Sequence, residues 1–112
     1  MEISSKDIID KAYEAVEIAT KTGKIKKGSN EVTKVVERGT AKLVVIASDV
    51  NPQEIIMHIP TLCKEKNIPL VISPSKEELG NSAGISVSTA AVAIVDEGES
   101  KNLVKEIASK LK

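Results

Sequence analysis

The amino-acid sequence predicts an α/β protein, a single-domain three-layer α-β-α sandwich built on a mixed sheet of about four strands. Three observations lead there. Segments with helical spacing of apolar residues alternate along the chain with short β-branched and aliphatic runs, the order that lays helices over a sheet. The run Leu43-Val44-Val45-Ile46-Ala47 has no polar alternation, as a strand covered on both faces requires. The chain has 112 residues, enough to bury one core and too few for two, with no linker, low-complexity tract or internal repeat to divide it.

In residues 5–22, Ile8, Ala12, Ala15, Val16 and Ala19 recur every three or four positions and Gly23 supplies a stop, which predicts the first helix. Residues 24–27 are expected as a short strand and 29–38 as a second helix ended by Gly39. The 43–47 run is expected at the centre of the sheet. Asn51-Pro52 has the form of a capping asparagine followed by proline at the first helical position, so a third helix is expected from there. Pro60 has no N–H to give, which predicts a kink or break within that helix. Leu70-Val71-Ile72-Ser73 reads as a further strand, 75–79 as the opening of a short helix and 90–95 as another buried strand. A last amphipathic helix from about residue 101 uses Leu103, Val104, Ile107, Ala108 and Leu111.

Composition removes several classes of function. Apolar residues are 41% and nearly all aliphatic, charged residues are 29%, and the apolar runs are only a few residues long, so no membrane span is expected. The first residues carry acids among polar positions and lack the basic start and apolar stretch of a secretory signal. The single cysteine, Cys63, permits no intrachain disulfide and suits a reducing, cytoplasmic location; its place in an apolar pattern makes it a core thiol rather than a nucleophile or metal ligand. Tyr13 is the sole aromatic residue, which excludes modules that stack bases on rings. No phosphate-binding glycine loop of the common patterns is present. The only histidine, His58, has no nucleophile near it in sequence and reads as a structural side chain on the third helix, and Asp49 precedes a turn, so neither points to catalysis. No enzyme activity, cofactor or metal is expected.

The formal charge is zero, but its distribution is uneven. Between residues 21 and 42 seven cations (Lys21, Lys24, Lys26, Lys27, Lys34, Arg38, Lys42) face two acids (Glu31, Glu37), a local charge of 7 − 2 = +5, and the rest of the chain carries 9 − 14 = −5. Such polarity suits a phosphate backbone held on one side of the molecule. The segment 26–39 refines this. On a helix Val32, Val35 and Val36 share one face, while Asn30, Glu31, Lys34 and Arg38 fall on the other. Gly28 lets a ligand backbone approach, and the helix start presents free amides and a positive dipole end. Glu31 would weaken phosphate binding unless it accepted hydrogen bonds from the ligand, and a guanine whose pairing edge is free offers those donors. The same spacing also fits a plain helix cap at Ser29 or Asn30 with a Glu31–Lys34 surface pair. Further on, Ile85 and Val87 stand among small polar residues in Gly84-Ile85-Ser86-Val87-Ser88-Thr89; they read either as an exposed apolar loop or as the first residues of the following strand.

The runs Gly28-Ser29-Asn30-Glu31-Val32-Thr33-Lys34, Glu37-Arg38-Gly39, His58-Ile59-Pro60 with Leu62-Cys63, Asn67-Ile68-Pro69, Ser75-Lys76-Glu77-Glu78-Leu79-Gly80 and Ala83-Gly84-Ile85 together resemble the archaeal ribosomal protein L7Ae family. That family is similar to the human spliceosomal fifteen-point-five-K protein and recognises kink-turn RNA. The resemblance covers about residues 5 to 100. It implies that Asn30, Glu31 and Lys34 read tandem sheared guanine–adenine pairs, that Lys27, Gly28 and Arg38 face the backbone, and that Lys76 lies near phosphates. Ile85, Ser86 and Val87 fall in the family's apolar loop over a flipped-out nucleotide. Two positions depart from the pattern. Ser29 stands where threonine or alanine is usual, and Asn51 stands where an acid usually contacts the extruded base, so an amide must do the hydrogen bonding there.

The implied partners are ribosomal and guide RNAs, with fibrillarin and the scaffold proteins of box C/D and box H/ACA guide complexes, and ribonuclease P as a further assembly. The free protein is expected as a monomer. A protein-interaction regulator on the same fold, as in stress-response relatives, is the competing reading, and it would have no need of the Asn30-Glu31-Lys34 set with its basic border. If the cations around Lys24, Lys26, Lys27, Lys34 and Arg38, together with Lys76, are the phosphate contacts, roughly three to five phosphates are neutralised. The logarithm of RNA affinity should then fall with the logarithm of salt at a slope of about −2 to −4, measured by titration across a salt series; a slope near zero would place the cluster away from the RNA.

Overall fold

The computed structural model describes residues 2–111. Helix α1, Lys6–Thr22, begins where the Ser5 hydroxyl accepts the Ile8 N–H and ends where the Gly23 N–H reaches the Ala19 carbonyl at 2.8 Å. Its buried stripe is Ile9, Ala12, Ala15, Val16 and Ala19, so small residues let the helix lie close to the sheet. Gly23 is required by that proximity, since a side chain there would run into the Asp96 carbonyl. Strand β1, Lys24–Lys27, and helix α2, Ser29–Glu37, follow, joined by Gly28 alone. Then come β2, Leu43–Ala47, α3, Ile59–Lys66, β3, Leu70–Ser73, α4, Lys76–Ser82, β4, Ala91–Asp96, and α5, Lys101–Lys110.

The four strands form one mixed sheet in the order β1-β4-β2-β3. β4 runs antiparallel to both β1 and β2, and β2 pairs with β3 in parallel, with Val45 opposite Val92 on one side and Val71 on the other. Every residue of β2 is buried, as its unbroken aliphatic sequence predicts for an internal strand. α1 packs against α4 and α5, and α2 packs against α3, so the sheet is the middle layer of the predicted α-β-α sandwich. The outer edge of β3 is covered by the chain before α1: the Ser4 N–H donates to the Ile72 carbonyl at 3.0 Å and the Ile72 N–H to the Ser4 hydroxyl at 2.9 Å. Pairing of this kind removes an open edge that would otherwise template aggregation. No helix among the described residues is long and apolar enough to cross a membrane.

The third helix departs from expectation. Asn51-Pro52 opens a single 3₁₀ turn, Gln53–Ile55, and α3 starts only at Ile59, with Pro60 in its first turn. Pro60 neither kinks nor breaks a helix, because the first turn is the one place where a missing N–H costs no hydrogen bond. Likewise the strand before α5 starts at Ala91, not at Ala90, and the last helix is preceded by a 3₁₀ turn at Gly98–Ser100.

Cys63 is buried in the single contiguous core, and burial pushes its thiol up to about 11 because an apolar surround disfavours the thiolate. A raised folded-state value stabilises the protein below the ordinary thiol range, and that contribution is lost as pH rises through about 11. At about pH 8 the folded protein should therefore resist a thiol-labelling reagent that reacts promptly once the chain is unfolded in denaturant, as followed by mass spectrometry. Equal labelling rates in both states would contradict the core placement.

Candidate nucleic-acid interface

Strand pairing decides where the candidate residues lie. Lys27 at the C-terminal end of β1 sits opposite Val92 near the start of β4, Ile46 near the end of β2 sits opposite Ala91, and Ala47 sits beside Ser73 at the end of β3. Three strands thus end, and β4 begins, at one end of the sheet. The elements leaving that end are the start of α2, the turn through Asn51, the start of α4 and the 84–90 loop. Topology thereby gathers residues drawn from four separate stretches of sequence.

The first of these elements is α2. Gly28 adopts φ 93°, in the left-handed region that glycine tolerates, and its N–H donates to the Ala91 carbonyl at 2.9 Å while its carbonyl accepts the Val32 N–H at 3.0 Å. Glycine is therefore the capping residue, and no side chain caps the helix. The amides of the first turn have no partner within the helix and point outward with the positive end of its dipole. Val32, Val35 and Val36 are buried, whereas Asn30, Glu31, Lys34 and Arg38 are exposed.

A plain cap with a surface pair is not what forms. Neither Ser29 nor Asn30 caps the helix, and among the described residues Asn30, Glu31 and Lys34 make no side-chain hydrogen bond or ion pair. The cations Lys24, Lys26, Lys27 and Arg38 are also exposed and unpaired among the described residues. Lys34 lies one turn and Arg38 two turns along from Asn30, so the stripe extends roughly 12 Å from the helix start.

The second half of the site is held by tertiary hydrogen bonds. The Asp49 carboxylate accepts the Lys76 N–H at 2.8 Å, and the Ser75 hydroxyl accepts the Glu78 N–H at 3.1 Å, so the start of α4 is capped twice and tied to the turn after β2. Asp49 is thus more than a turn residue. Gln53 donates to the Ser48 carbonyl at 2.9 Å and steadies the same turn, on which Asn51 is exposed. The 84–90 loop lies across α4, with the Ile85 N–H on the Gly80 carbonyl at 3.1 Å and the Thr89 N–H on the Lys76 carbonyl at 3.2 Å. Ser86 and Val87 face solvent, Val87 with 67% of its surface, and Ile85 is half-buried. These three residues form a loop and not the beginning of β4.

Residues 10–104 match the ribosomal protein L7Ae/L30e/S12e/Gadd45 family. The chain belongs to this family. The solved structure of a Giardia lamblia 15.5kD RNA-binding protein is similar to it with a TM-score of 0.92 and 34% sequence identity, over 98% of this chain and 92% of that one.

Sequence reasoning missed one contributor in this L7Ae-family chain. Ile55 and Met57 are exposed, by 40% and 57%, on the turns between Asn51 and α3, while Ile56 between them is buried. Three consecutive apolar residues cannot all face one core from a turn, and that crowding was the available signal. Ile55 and Val87 are both exposed apolar residues on segments next to this end of the sheet. The loop's position depends on Gly80, where a side chain would run into the Val87 carbonyl. Gly80→Ala should lower stability by about 1–3 kcal/mol in urea denaturation, because neither backbone can yield without losing the Ile85 and Thr89 bonds. An unchanged midpoint would show that the loop is not pinned there.

Proposed function

We propose that this chain is a non-catalytic RNA-binding protein that recognises kink-turn and kink-loop RNA through tandem sheared guanine–adenine pairs. The observation that carries the reading is the unpaired set Asn30, Glu31 and Lys34 on a helix start that no side chain caps, bordered by the free cations of β1 and α2. Exposed polar groups without protein partners are available to a ligand, and here they are of both kinds. Lys27, Lys34, Arg38 and the first-turn amides attract phosphate, with Gly28 and Ser29 allowing the backbone to come close. Glu31 repels phosphate and must be satisfied by donors.

A sheared pair leaves the guanine pairing edge free, so Glu31 accepts its N–H groups while Asn30 and Lys34 reach other base-edge atoms. An ordinary duplex hides those donors. Ile85, Ser86 and Val87, with Asn51 and Lys76 beside them, receive the flipped-out nucleotide: the apolar side chains cover its face, the Asn51 amide hydrogen-bonds it and Lys76 meets a phosphate. Residues 1–112 act as one RNA-binding unit, monomeric when free. Following the family resemblance, the partners are ribosomal RNA of the large subunit and box C/D and box H/ACA guide RNAs in the cytoplasm, where scaffold proteins and fibrillarin join the complex; ribonuclease P is a further assembly.

In gel-shift titrations the protein should bind a kink-turn far more tightly than a plain duplex of equal length; equal affinities would sink the proposal. Glu31→Ala should weaken the kink-turn by roughly 10- to 100-fold, the cost of orphaning guanine donors, while duplex affinity stays level or rises as a negative charge is removed. A variant that kept the full preference for sheared pairs would remove Glu31 from this role.

A further inference from the structure

We infer that His58, at the start of α3, is a positioning residue for the reading helix, acting through Thr33; the inference rests on the RNA-binding reading of α2. The Thr33 hydroxyl lies 2.6 Å from the Ser29 carbonyl and 2.7 Å from Nε2 of His58. A hydroxyl has one proton. The carbonyl can only accept, so Thr33 donates to Ser29, and the imidazole must then donate its Nε2–H to Thr33.

That assignment defines the ring tautomer and makes a chain of two hydrogen bonds from α3 to the first turn of α2. Thr33 borders the exposed face, three residues after Asn30 and one before Lys34. The first turn needs an outside brace because its cap is a glycine with no side chain to hold it. Gly28 ties the turn to the sheet through Ala91, and His58 ties it from the α3 side. The two anchors lie on different layers, so together they set the direction in which the free amides and Asn30 point.

The test combines a double-mutant cycle with spectra of the free protein. His58→Ala and Thr33→Val should each weaken kink-turn binding about three- to tenfold, the double variant should be no weaker than either, and His58→Gln, whose amide can donate, should recover most of the affinity. Melting temperatures should barely move, since His58 is exposed and Thr33 is only half-buried. In the RNA-free protein, nitrogen-resolved NMR should find the ring proton of His58 on Nε2, protected in the wild type and exposed to exchange in Thr33→Val, and His58→Ala should shift the amide signals of Asn30 and Glu31. A proton on Nδ1 alone, unmoved amide signals, wild-type binding by His58→Ala, or additive losses in the double variant would each overturn the proposal, the last by showing that His58 touches the RNA itself. If the wild type fails to prefer a kink-turn, the functional reading falls, and the RNA-free spectra still decide the positioning.

Discussion

The pairing of β4 between β1 and β2 is the constraint on which the rest of the molecule depends. Among the described residues β4 is the only strand with antiparallel neighbours on both edges, and its first residues meet the last residues of the strands beside it. The Ala91 carbonyl shows how much follows from this: it takes the Gly28 N–H, which ends β1 and aims α2 in a single residue. The parallel β2–β3 pair adds two more chain reversals at the same end. Ligand sites commonly form beyond the carboxyl ends of parallel strands, where connections diverge and backbone groups are left without partners. Here the divergence is filled by a helix start, a capped turn and an apolar loop.

Charge is handled differently on the two sides of the sheet. On α1 and α5 two of the cations are engaged, Lys11 with Asp7 and Glu106 and Lys110 with Asp7, and the Asp7 carboxyl is held below its ordinary range chiefly by Lys110; Lys6, Lys21, Lys101 and Lys105 form no ion pair among the described residues. Those pairs are exposed and contribute little to stability. On β1 and α2 the cations have no such carboxylate. Glu31 and Glu37 share the helix with Lys34, yet no bridge closes, so the positive field is left for a ligand and Glu31 is left as an acceptor. Leaving these groups unpaired is inexpensive because they remain in water, unlike an unpaired group in the core.

Rigidity is arranged in the same spirit. The polar residues that hold the site are not those proposed to meet RNA. Asp49 holds α4, Ser75 caps it, Gly80 admits the 84–90 loop, and Thr33 with His58 braces α2. Each uses a short hydrogen bond or a close backbone approach, so the exposed residues are presented by a frame that loses little freedom on binding.

Much of this was legible in the chain itself. The period of Ile8 to Ala19, the unbroken run of β2 and the two-faced pattern of 29–38 are local properties, since burial on one face or two is written into residue spacing. The Asn30-Glu31-Lys34 set was visible for the same reason, and family membership followed from motifs spread over most of the chain. Other features depended on contacts between distant residues. Pro60 reads from sequence as a proline inside a helix, because sequence alone does not say where a helix begins when several turns precede it. Ile85 and Val87 alternate like strand residues, and only their anchoring on Gly80 and Lys76 makes them a loop. The hydrogen bond joining residues 33 and 58, and the gathering of residues 27–34, 51, 76 and 85–87 at one end of the sheet, follow from strand order. Periodicity encodes which face of an element is buried; it carries no information on which elements become neighbours, and that is decided by the packing of the whole chain around β4 and β2.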